Sequence, residues 1–281
     1  IIRHVTAPRP DLSFLCAAYA TTVAPPKMCI AIRCQIAQLA EFGKRQPRKI
    51  RPHPESSTGF RRSAQKPKGC EEPETTSIEI MGSAVNRVKD RIAAPSTILI
   101  GHSMGCRVVI DAFQQSGVTV AGLVFVDGSI LGCDLQLTMN NTKAAIDRAG
   151  MDAFTQQFFS DMFLESGDPE LRERLIARAQ GLNARFREEL FLEVARWDAT
   201  KLRDALRRIS VPTLVLQSTY LDADLKRVAL PVGMTNPWMD VVASSVQNSE
   251  ARVIPNSGHM TMIEAAQAVN NAIQEFAARL A

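Results

Sequence analysis

A five-residue stretch near the middle of the chain has the residue types and spacing of a catalytic turn. Gly101-His102-Ser103-Met104-Gly105 fits the pattern G-x-S-x-G, in which a serine on a sharp turn between a strand and a helix exposes its hydroxyl group. The glycines are needed because the chain passes close to itself at such a turn. The pattern predicts Ser103 as a nucleophile and the Met104 N–H as an oxyanion donor, with Gly101, His102 and Gly105 supporting the turn.

A serine hydroxyl is a weak nucleophile and needs a neighbouring base. His259, in the stretch Asn256-Ser257-Gly258-His259, follows a predicted strand and precedes the last predicted helix. A loop in this position reaches back over the edge of a sheet, so His259 is predicted to take the proton of Ser103. His102 lies beside the nucleophile and is interpreted as part of the turn rather than as the base.

The elements that must position these residues alternate between strands and helices, which predicts a parallel sheet. Short apolar stretches predict buried strands at 97–100, 123–126, 211–217 and 251–254. Helical patterns predict helices at 83–92, 106–115 and 262–280. Ser83 is the expected N-cap of the helix at 83–92. Residues 131–210 carry only helical patterns, and they predict an all-helical insertion over the strand ends.

Three stretches resemble the α/β-hydrolase family: Leu-Ile-Gly-His-Ser-Met-Gly at the turn, Val-Pro-Thr-Leu-Val-Leu-Gln at 211–217, and Gly-His followed by Met-Ile-Glu-Ala near the end. The resemblance covers about residues 77–281. It implies the α/β-hydrolase fold, a mostly parallel sheet flanked by helices, with a helical cap between strands six and seven of the family's sheet. It also implies a Ser-His-acid triad. Serine at the nucleophile position differs from the haloalkane dehalogenase and epoxide hydrolase branches, which use aspartate there.

The acid of this triad has two candidates of nearly equal weight. In most of the family the acidic residue follows the seventh strand in the pattern G-x-x-D. The corresponding sequence in this chain is Gln217-Ser-Thr-Tyr-Leu-Asp222-Ala-Asp224. Here Ser218 replaces the glycine, and the spacing is one residue longer. Asp127, after the sixth strand, is the other position from which some members supply the acid. Asp222 and Asp127 therefore both remain candidates for the acid, and Asp224 is a weaker third candidate.

The first segment of the chain differs from the rest in charge and composition. Residues 1–70 carry 13 basic and 3 acidic side chains, whereas residues 71–281 carry 20 basic and 26 acidic ones. Residues 1–76 are Pro-rich and contain no His-Gly pair of the kind that completes the family's oxyanion hole. Two apolar stretches, at 12–23 and 28–39, fit either helices or strands.

These observations predict three parts. Residues 1–76 form an atypical basic segment, for which disorder is one interpretation and in which the family's N-terminal strands are atypical or missing. Residues 77–130 and 211–281 form the α/β-hydrolase core, and residues 131–210 form the cap.

Composition also excludes several classes of partner. The basic excess is confined to one terminal segment, so no nucleic-acid partner is expected. No window approaches the roughly 18 consecutive apolar residues of a membrane-spanning helix, so no membrane is expected. Six cysteines without a CxxC pair, and four histidines, give little basis for a metal cluster. We predict no metal, no cofactor and a cytoplasmic location.

The predicted function is that of a serine hydrolase that cleaves an ester, thioester or related acyl bond of a small, partly apolar substrate. Ser103, His259 and either Asp222 or Asp127 would carry the reaction. The alternative is a catalytically impaired member of the fold that lacks a complete oxyanion hole. This alternative rests on the abrupt change in composition near residue 75. The change suggests that the N-terminal sequence does not come from the family.

Overall fold

The computed structural model describes residues 16–24, 27–34, 77–132, 134–222 and 227–280, the first two ranges as backbone only. Its strands are β1 (Cys16–Ala24), β2 (Lys27–Cys34), β3 (Ser96–His102), β4 (Val120–Val126), β5 (Thr213–Gln217), β6 (Thr219–Leu221), β7 (Arg227–Ala229) and β8 (Ser249–Val253). Its helices are α1 (Ile78–Ile92), α2 (Met104–Ser116), α3 (Leu135–Ala149), α4 (Met151–Ser160), α5 (Pro169–Gln180), α6 (Ala184–Thr200), α7 (Leu202–Arg207), α8 (Pro237–Ser245), α9 (Thr261–Glu264) and α10 (Ala266–Arg279).

Six strands form the main sheet, in the order β1-β2-β3-β4-β5-β8. The pairs from β2 to β8 are parallel, and only β1 runs antiparallel to its neighbour. In the register of β3 with β4, His102 lies beside Val126. The residues that follow these two strands, Ser103 and Asp127, therefore meet at one edge of the sheet. β6 and β7 form a separate two-stranded antiparallel hairpin beyond the end of β5.

The N-terminal segment contributes two strands to this sheet. The apolar stretches that fit either helix or strand overlap β1 and β2, and β2 pairs in parallel with β3 from Lys27↔Ser96 to Ile32↔Gly101. In these two ranges the chain forms strands, and the assignment of residues 1–76 to a separate segment stays a prediction. The sequence left these two ranges undecided because a strand of this kind is stabilised by pairing with residues distant along the chain. The rest of residues 1–76 lies outside the described ranges.

Side chains of the central strands alternate between two layers of the core. Leu99, Phe125 and Val215 pack with α1, α2 and α8 on one face. Ile98, Val124, Leu214 and other residues of even number pack with α10 and with α4 and α5 on the other. Both faces are buried, which explains why these strands are continuously apolar in sequence.

Three helix boundaries differ from those expected. α1 begins after Ser77, whose side chain accepts a hydrogen bond from the Ile80 N–H, so Ser83 lies inside the helix and is not its cap. α2 begins at Met104, directly after Ser103 and two residues before the expected start at residue 106. The last helical stretch is broken at Ala265, where the backbone leaves the helical region (φ −124°, ψ 42°), and it forms α9 and α10.

The stretch between β4 and β5 contains α3 to α7, and we call it the helical insertion. No strand occurs in its described part, residues 131–132 and 134–210, as the sequence predicts. Arg187 of α6 donates hydrogen bonds to Asp152 and Thr155 of α4, at 2.5 and 2.7 Å. Polar contacts of this kind, together with apolar packing, hold the helices of the insertion to one another.

Candidate active site

The predicted turn has the backbone of a strained nucleophile elbow. Ser103 has a positive φ of 55° with ψ −120°, a conformation that a non-glycine residue adopts only when its surroundings impose it. Its N–H donates to the Val126 carbonyl oxygen at 2.9 Å, which ties the turn to the next strand. A Cβ atom at Gly101 would lie 2.3 Å from the Gly105 carbonyl oxygen, so that position requires glycine. The Ser103 side chain is partly exposed at the sheet edge.

His259 reaches Ser103 from the loop after β8. Its Nε2 lies 2.8 Å from Ser103 Oγ, and its Nδ1 lies 2.6 Å from Asp127 Oδ2. A carboxylate only accepts hydrogen bonds, so Nδ1 carries the hydrogen and Nε2 presents its lone pair to the Ser103 hydroxyl. The backbone N–H of His259 donates to the Met162 carbonyl oxygen at 3.0 Å, which anchors the loop to the end of α4.

Asp127 follows β4 and is fully buried, with a positive φ of 45°. Its Oδ1 accepts from the N–H groups of Ser218 and Thr219 at 2.8 and 2.9 Å. Its Oδ2 accepts from Thr219 Oγ1 at 2.6 Å as well as from His259. Ser218 Oγ is 2.9 Å from both Asp127 Oδ1 and the Gly258 carbonyl oxygen, and its single hydrogen serves one of them at a time.

The two main acid candidates therefore occupy different surroundings. Asp127 contacts the imidazole directly, whereas Asp222 lies half-buried just beyond β6, and the Nδ1 atom of His259 is bonded to Asp127. Asp224 lies outside the described residues. At the position where the family has glycine, Ser218 and its neighbour Thr219 act as donors to the carboxylate of the adjacent strand.

The charges of this group are set by burial and by one arginine. Burial lowers the pKa of His259 to about 4, and the positive charge of Arg227 acts in the same direction, against the bond to Asp127. Burial alone would raise the pKa of Asp127, but His259, Arg227 and Thr219 together hold it well below its usual range. At neutral pH the site thus holds an aspartate anion and a neutral imidazole able to accept a proton.

His102, which was expected to support the turn, contacts the loop that carries His259. Its Nε2 lies 2.8 Å from the His259 carbonyl oxygen, and since a carbonyl only accepts, His102 is the donor. The two rings lie with their centroids 4.6 Å apart. Burial, reinforced by the neighbouring His259, lowers the pKa of His102 well below its usual value, so this side chain stays neutral.

The start of α2 points at the Ser103 hydroxyl group. Met104 is the first residue of the helix, so its N–H has no acceptor within the helix and lies at the positive end of the helix dipole. The role of Met104 as the oxyanion donor stays a prediction. A second donor from the segment between β2 and α1 would fall at residues 35–76, which lie outside the described residues.

A buried ion pair that the sequence did not reveal lies behind the turn. Arg107 of α2 binds Asp198 of α6 through two contacts, Nε to Oδ1 at 2.6 Å and Nη2 to Oδ2 at 2.5 Å. Arg107 Nη2 also donates to the Ser129 carbonyl oxygen, and Asp198 Oδ2 accepts from the Leu131 N–H. The pair joins the nucleophile helix, the loop after Asp127 and the helical insertion. Its partners are 91 residues apart in sequence, beyond the reach of local patterns.

The structure gives no indication of a metal site or a membrane span within its described ranges. The described side chains form no group of three or more His, Cys, Asp or Glu placed to hold a metal ion. In the part of the chain that the structure describes, every helix is too short or too polar to span a lipid bilayer. The absence of a cofactor stays a prediction.

Comparison with known proteins identifies the family of the chain. The sequence profile of the Alpha/beta hydrolase family matches residues 59–272. The chain belongs to this family. The match begins before residue 77, where the resemblance was expected to start, so the family's sequence extends into the Pro-rich segment. A search of curated protein sequences found no match.

Several solved structures have a fold similar to that of this chain. An esterase from Exiguobacterium antarcticum is 16% identical, with a TM-score of 0.57 over 71% of this chain and 73% of that one. A thermophilic esterase from Thermogutta terrifontis is 22% identical, with a TM-score of 0.56 over 74% and 75%. A bromoperoxidase from Bacillus anthracis is 17% identical, with a TM-score of 0.56 over 71% and 74%. At these identities the likeness is one of fold.

Proposed function

We propose that this α/β hydrolase is a serine hydrolase that cleaves an ester, thioester or related acyl bond through Ser103, His259 and Asp127. The observation that carries the proposal is the continuous chain of contacts from Ser103 Oγ to His259 Nε2, at 2.8 Å, and from His259 Nδ1 to Asp127 Oδ2, at 2.6 Å. The strained backbone of Ser103 at the start of α2 supports it independently. Asp127 is preferred over Asp222 because the His259 Nδ1 atom is bonded to Asp127 Oδ2.

The reaction would proceed through an acyl-enzyme. Ser103 Oγ attacks the carbonyl carbon while its proton passes to His259 Nε2, and the negative charge on the carbonyl oxygen is stabilised by the Met104 N–H. Asp127 stabilises the imidazolium that forms. His259 then gives the proton to the leaving alcohol or thiol, which departs as the acyl group stays on Ser103. A water molecule, activated by the same imidazole, attacks the acyl-serine and releases the acid and the free enzyme.

The helical insertion would act as the cap of the site. Its aromatic side chains favour a small, partly apolar acyl substrate. Phe154, Phe158 and Phe191 form a partly buried cluster within the insertion, with ring centroids 4.7 to 6.2 Å apart. Phe158 also packs against the apolar layer above the sheet. Two of the solved relatives named above are described as esterases, which agrees with an acyl substrate.

An activity-based probe tests the proposal. A fluorophosphonate should label the folded protein at one site, and the label should disappear in Ser103→Ala. Hydrolysis of a p-nitrophenyl ester should be lost in the same variant and in His259→Ala.

The outcome also separates the proposal from a catalytically impaired member of the fold. Absence of labelling, with folding verified by circular dichroism, would favour the impaired protein and would locate the fault in the oxyanion hole. Labelling that persists in Ser103→Ala would show that the nucleophile is a different residue.

A further inference from the structure

We propose that Arg227 is a positioning residue of the active site, which acts through Thr219 on Asp127 and helps to keep the His259 imidazole in its neutral form. Arg227 does not touch Ser103 or His259 in the contacts described above, and its influence would pass through the carboxylate. The inference rests on the proposed triad and deepens it, since it concerns how the acid is held.

The contacts form a directed chain of hydrogen bonds. Arg227 Nη1 donates to Thr219 Oγ1 at 3.0 Å, and the same nitrogen lies 3.5 Å from Asp127 Oδ2. A guanidinium group only donates, so Thr219 Oγ1 is the acceptor of this bond. The single hydrogen of the Thr219 hydroxyl is therefore free to point at Asp127 Oδ2, 2.6 Å away. Arg227 thereby fixes the direction in which the donor beside the carboxylate points.

The β6–β7 hairpin explains how Arg227 reaches this place. Leu221 pairs with Arg227 and Thr219 pairs with Ala229, so β7 runs back alongside β6, which begins just after β5. The Leu230 N–H donates to the Ser218 carbonyl oxygen at 2.8 Å, and Asn236 Nδ2 donates to the Thr219 carbonyl oxygen at 3.1 Å. These bonds fasten both ends of the hairpin to the residues that surround Asp127.

Burial of the guanidinium argues that its contact with Asp127 is needed. The side chain of Arg227 is only 8% exposed, and the Asp127 side chain is not exposed at all. A buried cation is strongly unfavourable unless a nearby anion compensates it. A single contact at 3.5 Å is a loose pairing, and it leaves Asp127 Oδ2 able to accept from His259 at 2.6 Å.

The charged groups around His259 are few, and they oppose one another. Asp127 at the end of β4 favours a proton on the imidazole, whereas Arg227 of the hairpin disfavours it. His102 at the end of β3 is buried and neutral. Glu264 of α9 binds the Gly258 N–H one residue away, and burial raises its pKa. Removal of Arg227 therefore leaves Asp127 as the dominant charge and should make the imidazole easier to protonate.

The first test is the pH dependence of kcat/KM for Arg227→Gln and Arg227→Lys. The acid limb of Arg227→Gln should move to higher pH by at least about one unit, the usual effect of a nearby charge. Arg227→Lys, which keeps the charge, should move the limb less. Arg252→Gln is the matched control, because Arg252 lies on β8 and pairs with Glu250 and Glu275, and its limb should not move.

A second pair of variants keeps the inference testable if Arg227→Gln fails to fold. Thr219→Val removes the hydroxyl link and should lower kcat by about tenfold, the effect of one hydrogen bond to a charged group. Thr219→Ser keeps the hydroxyl and should restore most of that loss. Equal kcat in the two variants would overturn the inference.

Titration of the His259 ring by NMR separates this inference from the proposed function, because it requires no turnover. A higher imidazole pKa in Arg227→Gln than in the unchanged protein supports the inference even if no ester is cleaved. The same imidazole pKa in both proteins overturns it even if the unchanged protein is an active esterase.

Discussion

Two buried carboxylates, Asp127 after β4 and Asp198 in α6, each face a buried arginine, yet they are held in different ways. Asp198 is bound by Arg107 through two contacts of 2.6 and 2.5 Å, and its remaining bond comes from the Leu131 N–H. Asp127 has its arginine at 3.5 Å and receives its short bonds from Thr219, the Ser218 N–H and His259.

The difference shows how tightness of pairing determines what a buried carboxylate can do. A bidentate arginine occupies both oxygens of Asp198 and makes it a structural link. The looser arrangement around Asp127 compensates its charge but leaves one oxygen for the imidazole. Variants of the two sites should accordingly affect different properties, catalysis for Asp127 and stability for Asp198.

The largest effect is expected for Asp127→Asn. It should lower kcat for a p-nitrophenyl ester by about 10⁴-fold, because the amide cannot hold the imidazole in its reactive tautomer. Asp222→Asn is the matched control and should leave kcat within about twofold, a change that corresponds to less than 0.5 kcal/mol. A large loss in Asp222→Asn with little loss in Asp127→Asn would reverse the choice of acid.

A smaller effect, on stability rather than catalysis, is expected for Arg107→Met. It leaves the Asp198 carboxylate buried and without its cation, which should cost about 3–5 kcal/mol in the free energy of unfolding. Urea denaturation followed by circular dichroism measures this loss.

The surface pair Glu170 and Arg174, on the exposed side of α5, is the control for this measurement. Glu170→Gln should change the free energy of unfolding by less than about 0.5 kcal/mol. If Arg107→Met cost no more than Glu170→Gln, the buried pair would not be the link that its geometry indicates.

The smallest effect is the pH dependence of stability. An unfolded histidine titrates near pH 6.5, whereas burial lowers the pKa of His259 to about 4. Between these values the unfolded state binds more protons, so stability is lost as the pH falls, by up to about 3 kcal/mol.

Urea midpoints at pH 7 and pH 5 measure this loss. His259→Gln should reduce the difference between the two midpoints, although His102 retains a contribution of the same sign. A difference that is unchanged in His259→Gln would contradict the assignment of the proton to His259.

The sharp turn at Ser103 was predictable because its backbone depends on a few neighbouring residues. Gly101 and Gly105 are required by a backbone that nearly touches itself, and this constraint is visible in five letters of sequence. The alternation of strands and helices was predictable for a similar reason, since each element carries its own apolar period.

The choice between the acid candidates could not be made from the sequence, because it depends on contacts across the sheet. β4 and β5 are neighbours in register, Val126 beside Leu216, so residues after either strand reach the same point. The decision rests on which residue receives the donors of Ser218 and Thr219, and those donors belong to the other strand. The replacement of the family's glycine by Ser218 was the available signal, and its meaning required the structure.

The ion pair of Arg107 and Asp198 has a consequence for how substrates would enter. α6 is fixed to the core by this pair, and Arg187 and the Lys143–Glu188 contact fix α4 and α3 to α6. We therefore expect the insertion to move little relative to the core. If it covers the proposed site, product release should slow with the bulk of the product rather than with the viscosity of the solvent.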